Sequence, residues 1–116
     1  MTDHNFRKLD VHRVAKEALA LVLAHEQYWR RIPGEVAPQL QRAMVSTLLN
    51  IAEGAGRDTH RDQRRHYAIA RGSAREAAAC IEIAALFGAP TALCDQVDGL
   101  LHRVCQMLTA LMDPRR

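Results

Sequence analysis

The side chains best suited to chemistry crowd between Arg57 and Arg75. Arg57, Arg61, Arg64, Arg65, Arg71 and Arg75 stand there against Asp58 and Asp62, a formal +4 within a chain whose total is +3. The rest of the chain is therefore close to neutral. Guanidinium groups hold phosphate oxygens through forked, charge-assisted hydrogen bonds, so a polyanion suits this stretch. His60 and His66 lie in the same segment. Tyr67 is the one aromatic among the arginines, which serves base stacking poorly. Contact with a nucleic-acid backbone, weak in sequence preference, is the mode expected. The same residues also fit a solvated helix face, with Asp58, Asp62 and Glu76 as counter-charges.

A second cluster precedes it in NIAEGAGR, residues 50–57. Asn50 and Glu53 are three apart and share a helix face. Arg57 follows one turn later, and Tyr67, Arg71 and Ser73 are candidates across the turn. A half-buried amide and carboxylate need partners. Two readings fit: a recognition pocket, or a structural polar clasp of Asn50, Glu53, Tyr67 and Ser73 fixing how the second helix meets the third. The clasp is the preferred reading.

Catalysis and metal binding find little support. There is no HExxH and no Cys/His pair at zinc spacing. His60 and His66 are six apart, a poor fit to one helix face. Ser46 and Ser73 have no neighbouring histidine to form a nucleophile relay. No catalytic residue, cofactor, metal or small-molecule substrate is expected.

These residues must be positioned by helices. The chain has 116 residues, 48% apolar and only 4% aromatic, a size for one domain and a mix favouring close-packed helices. The first helix is predicted from Asp10 to Ile32, on the stripe Val11, Val14, Ala18, Leu21, His25, Tyr28 and Ile32. Ala15, Leu19, Val22 and Leu23 widen that stripe. Tyr28 and Trp29 suit an interface anchor or a plug for the bundle end. Pro33 and Gly34 break the pattern. The second helix runs from Val36 or Pro38 to Glu53, with Val45, Leu49 and Ala52 broadening its apolar face. Gly54 is expected to close it in the left-handed conformation. Thr59 and Asp62 resemble a capping box for a third helix reaching Phe87. Its stripe of Tyr67, Ala70, Ala74, Ala77, Ile81 and Ala84 is mostly small, and Gly72 implies a close neighbour. Gly88 to Pro90 ends it. A fourth helix carries Leu93, Val97, Leu100, Val104, Leu108 and Leu111.

The expected fold is all-α, an antiparallel up-down-up-down four-helix bundle over residues 1–116, with a short docked arm over residues 1–9. The broad apolar faces of the first two helices exceed what one bundle needs, so a homo-oligomer is expected. Cys80, Cys94 and Cys105 fall on apolar positions and read as reduced core thiols of a cytoplasmic protein. No apolar run approaches the ~20 residues of a membrane span, so no membrane partner is expected.

FRKLDVHRVAKEALAL, QLQRAMVSTLLNIAEGAGR and HYAIARGSAREAAACIEIA, in that order, resemble the bacterial four-helix bundle family also known as the 23S rRNA intervening-sequence proteins. The matching positions are Asn50, Ile51, Ala52, Glu53, Gly54, Gly56, Arg57, Tyr67, Gly72, Ser73 and Glu76. The resemblance implies a left-handed antiparallel bundle, often a homopentamer, with no enzymatic activity. It extends distantly to the accessory variability protein of retroelements, which binds reverse transcriptase and nucleic acid. This chain departs from the family in Ser46-Thr47-Leu48-Leu49, which lacks the usual proline, and in Ala55 and His12, where aromatics are common. Two functions follow as expectations. One is an accessory or scaffold protein that binds RNA or DNA, or a ribonucleoprotein, through the arginine-rich turn and third helix. The other is an interaction module for an acidic protein.

Overall fold

A computed structural model describes residue 6 and residues 9–115. Among these the chain is all-α, with helices α1 (Asp10–Leu23), α2 (Glu26–Trp29), α3 (Val36–Ala55), α4 (His60–Leu86) and α5 (Thr91–Leu111) and no strand. Apart from Phe6 and Leu9, the arm expected over residues 1–9 lies outside the described residues.

The stretch read as one long first helix is two. Backbone dihedrals leave the helical region at His25 (φ −127°, ψ 33°). The cause is that side chains and a tightened turn take up the last carbonyls of α1. The Trp29 indole N–H donates to the Val22 carbonyl at 2.8 Å, and His25 Nδ1 lies 2.9 Å from the Leu21 carbonyl. The His25 amide also reaches the Val22 carbonyl, at 3.1 Å. With those acceptors engaged, the chain turns and brings Trp29 inward until it is 3% exposed. Trp29 is thus a plug at this end, while Tyr28 is half-buried. Asp10 is the first helical residue rather than the cap, which is Leu9. There it suits the positive end of the helix dipole and pairs with Arg13.

Turns follow from glycine where the backbone demands it. Gly34 and Gly88 have φ of 78° and 97°, values that side chains disfavour. After α4, the Gly88 amide reaches the Ala85 carbonyl and the Ala89 amide the Ala84 carbonyl, at 3.1 and 3.0 Å. This is the Schellman arrangement that closes a helix on glycine.

Two glycine expectations are corrected. Gly54 does not take the left-handed conformation; it lies within α3, which runs on to Ala55. Its role is steric. A Cβ built there would stand 2.6 Å from Cε1 of Tyr67, so the missing side chain is what admits the Tyr67 ring. Gly72, expected to meet a close neighbour, is exposed, and a Cβ there would meet nothing within 4 Å. No packing reason accounts for it. At the start of α4 the Asp62 amide donates to Thr59 Oγ1 at 3.1 Å, the Thr59 half of the expected capping box.

Helix α1 packs on α3 and α5, α3 on α4, and α4 on α5, so the four long helices close a circuit around one core. The molecule measures 48 × 21 × 21 Å. From α4 the core takes Ala70, Ala74, Ala77 and Ala84, all fully buried. Such small side chains let neighbouring helices approach toward the short end of the ~8–10 Å range of axis separations. Val97, Val104 and Leu108 of α5 are equally buried. No helix among the described residues is long and apolar enough to cross a membrane.

Candidate functional site

Helix α4 is 27 residues long, about 40 Å at 1.5 Å per residue. Its inward positions are His66, Tyr67, Ala70, Ala74, Ala77, Cys80, Ile81 and Ala84, and the arginines lie off that stripe. Arg61, Arg64, Arg65 and Arg75 are exposed, and Arg71 is half-buried. Arg71 leans across to α5, where its Nη1 donates to Thr109 Oγ1 at 3.0 Å. Thr109 is neutral, so this bond fixes the guanidinium without cancelling its charge. Arg57 differs from the rest. It pairs with Glu53 at 3.0 Å across one turn, and its Nε is buried without a hydrogen-bond partner. Glu76, offered by the sequence as a counter-charge, accepts from Gln39 of α3 at 2.9 Å instead.

The arginines border two concavities, one almost wholly on α4 and one between α4 and α5. Arg61, Asp62, Arg64, Arg65, Ala68, Arg71 and Met112 line the first. Arg75, Ala78, Asp98, Leu101, His102, Cys105, Gln106 and Thr109 line the second. They meet at the Arg71–Thr109 bridge. The α5 contribution, with His102, Gln106 and Thr109, was not singled out from the sequence. The signal available was their spacing, at three- and four-residue steps from Asp98.

Of the four residues grouped as a clasp, Asn50 and Ser73 join a hydrogen-bonded ladder between α3 and α4. Ser46 and Ser73 hydroxyls are 2.8 Å apart, joining α3 to α4. The Asn50 amide donates to the Ser46 carbonyl at 2.9 Å and reaches the Ser46 hydroxyl at 3.3 Å. Asn50 Oδ1 lies 3.4 Å from His66 Nδ1. His66 is 8% exposed, and its Nε2 has no hydrogen-bond partner. It therefore faces α3 rather than sharing the arginine surface. Glu53 stands outside this ladder: its side chain is 58% exposed and held by Arg57. Tyr67 enters by packing on Gly54. Ser46 and His66 are the members that sequence reasoning missed. Ser46 sits four before Asn50, the spacing at which an amide reaches back along its own helix.

Part of the apolar surplus is absorbed within the chain. Ala15 and Val22 of α1 are 2% and 3% exposed, whereas Leu23, Val45 and Leu49 remain 44%, 42% and 62% exposed. Val45 and Leu49 border a shallow groove with Pro38, Gln41, Arg42, Ser46 and Asn50. A second apolar group, Ile83, Leu86 and Phe87, is exposed at the far end of α4.

All three cysteines are free, Cys80 and Cys94 buried and Cys105 half-buried. Burial pushes every one of these thiols above its ordinary pKa. For Cys105 the nearby Arg75 and Arg71 charges work against that rise. Among the described residues no group of three His, Cys, Asp or Glu side chains could hold a metal ion.

No curated protein gives a significant match to the chain. A family model described as 23S rRNA-intervening sequence protein matches residues 7–110, nearly the whole length.

Proposed function

We propose that this chain, which belongs to the 23S rRNA-intervening sequence protein family, is a non-enzymatic accessory or scaffold protein. It works in the cytoplasm as a homo-oligomer, a pentamer on the family resemblance, and binds the backbone of RNA or DNA. The observation that carries the reading is the arginine-rich first half of α4, where Arg61, Arg64, Arg65 and Arg75 are exposed. Phosphate neutralisation by such side chains releases counterions and gives sequence-independent affinity. Repetition of the surface in an assembly multiplies the effect through effective concentration.

The bundle proposed is a single-domain, antiparallel four-helix one. Cross-contacts from α3 to α4 support it, because they run in opposite order: Gln39 with Glu76, Ser46 with Ser73, Asn50 with His66. The exposed Leu23, Val45 and Leu49 support self-association. Exposed Ile83, Leu86 and Phe87 favour a second reading, an interaction module for a protein partner of acidic surface, since they add apolar contact area away from the arginines.

The test is fluorescence anisotropy of the purified chain with labelled RNA and DNA of mixed sequence, beside affinity purification from nuclease-treated extract. Binding to both nucleic acids, lost as salt rises, supports the proposal. Failure with both, together with recovery of one acidic protein, overturns it in favour of the second reading.

A further inference from the structure

We infer that the outward face of α4 is a contact between two copies of this chain, with the two α4 helices running antiparallel. This rests on the self-association reading above and gives it a further face, a direction and a register. Ile69, Gly72, Glu76, Ala79, Ile83 and Leu86 follow one another at alternating three- and four-residue steps, and all six are exposed. That is the spacing of a seam shared by two helices. At about 100° per residue it lies on the far side of α4 from Ala70, Ala74, Ala77, Ile81 and Ala84, which face the core. Its large apolar members are open to solvent: Ile69, Ile83 and Leu86 are 47%, 40% and 82% exposed. Gly72, whose added Cβ would meet nothing in its own chain, leaves room for a second helix to come close.

Charge and register select the occupant and its direction. Between His60 and Arg75, α4 carries five arginines against Asp62; between Glu76 and Leu86 it carries two glutamates and no cation. Parallel copies would set arginine beside arginine and Glu76 beside Glu76. Antiparallel copies set the basic half of each helix along the acidic half of the other. The steps of the seam read the same in either direction, so reversing one copy keeps every layer. Ile69 then meets the partner's Leu86, Gly72 the partner's Ile83, and Glu76 the partner's Ala79. Large side chains thus meet each other or the smallest one. In this register Arg75, just outside the seam, comes beside the partner's Glu82, and by symmetry Glu82 beside the partner's Arg75. Both are exposed, and neither makes an ion pair among the described residues. Glu76 keeps its hydrogen bond to Gln39; a polar group in such a seam fixes register at some cost in affinity. The face is complementary to itself, so a second copy is the occupant it fits.

The test is sedimentation velocity of the full chain, freed of nucleic acid with nuclease, over a concentration series. An isologous contact closes at two, so it doubles any assembly built through the exposed residues of α1 and α3. Arg75→Glu alone and Glu82→Arg alone each turn two attractions into two repulsions, raising the dissociation constant of the doubling step about tenfold. Arg75→Glu together with Glu82→Arg restores the attraction with the signs exchanged, and the constant returns to within about threefold of the parent. Ile83→Ser, at an exposed position, weakens the same step while circular dichroism shows unchanged helix content. Arg103→Glu, the same change of charge on α5, leaves the step unaltered.

Three results overturn the inference. If the double variant stays as dissociated as the single ones, or Arg103→Glu acts as strongly as Arg75→Glu, copies still associate but the antiparallel register is wrong. If an assembly forms and none of these substitutions changes it, self-association stands and the α4 seam has no part in it. If the parent sediments as one subunit at every concentration, the self-association reading falls and the seam with it.

Discussion

Gly54→Ala is expected to destabilise the protein although alanine is the better helix former. Gly54 lies inside α3, where alanine normally gains up to ~1 kcal/mol over glycine. The added Cβ, however, would stand 2.6, 2.8 and 3.2 Å from Cε1, Cδ1 and Cζ of Tyr67. These are atoms of a stiff ring that is 4% exposed, so the ring cannot swing aside cheaply. Overpacking of this kind costs about 1–3 kcal/mol; at the middle of that range, less a propensity gain of about 1 kcal/mol, the net loss is about 1 kcal/mol. For 116 residues the unfolding entropy near 60 °C is about 0.24 kcal/mol/K, so Tm should fall by about 4 °C. Gly72→Ala is the internal control. It sits in the same kind of helix with no atom within 4 Å of the new Cβ, so Tm should rise by about 2–4 °C. Differential scanning calorimetry reads both. A Gly54→Ala protein as stable as the parent would refute the steric account, as would a Tyr67→Leu background that gave no relief.

Other perturbations separate the parts of the fold. Trp29→Phe removes the indole donor to the Val22 carbonyl and some buried volume; thermal melts should show a loss of about 1–3 kcal/mol, or 4–12 °C. Asn50→Ala breaks the link between Ser46 and His66 and should cost about 1–2 kcal/mol by urea titration. Glu53→Ala, whose carboxylate is exposed and pairs with Arg57 in the turn just after α3, should stay within about 0.5 kcal/mol of the parent in the same assay. Thr59→Ala removes the cap of α4 and should lower stability by about 1 kcal/mol in that titration.

Much of the helical pattern was legible because apolar spacing and turn chemistry agreed. The Tyr67 to Ala84 stripe is buried throughout, and the Thr59 cap and the Gly88 stop formed where their residue types predict. What was not legible depends on neighbours that sequence spacing cannot supply. The break at His25 needs Trp29 to fold back onto Val22, a tertiary hydrogen bond invisible to periodicity. Gly54 looked like a stop signal because a glycine near a helix end usually is one, yet its role is set by a ring on the next helix. Glu53 was drawn into the clasp by its spacing from Asn50. Ser73, which the sequence did mark, closes the ladder with Ser46, a short side chain that reaches only when two helices lie side by side. The arginine surface could be named from α4 alone, but its α5 wall could not, since pairing of those helices follows from packing.

The central claim is that the exposed arginines of α4 bind phosphates. Its most direct test is the slope of log affinity against log salt for the unmodified chain on single-stranded RNA. A steep linear fall, with the same slope on different base sequences, is the result expected. A line that stayed level from low to high salt, or binding confined to one sequence, would contradict it.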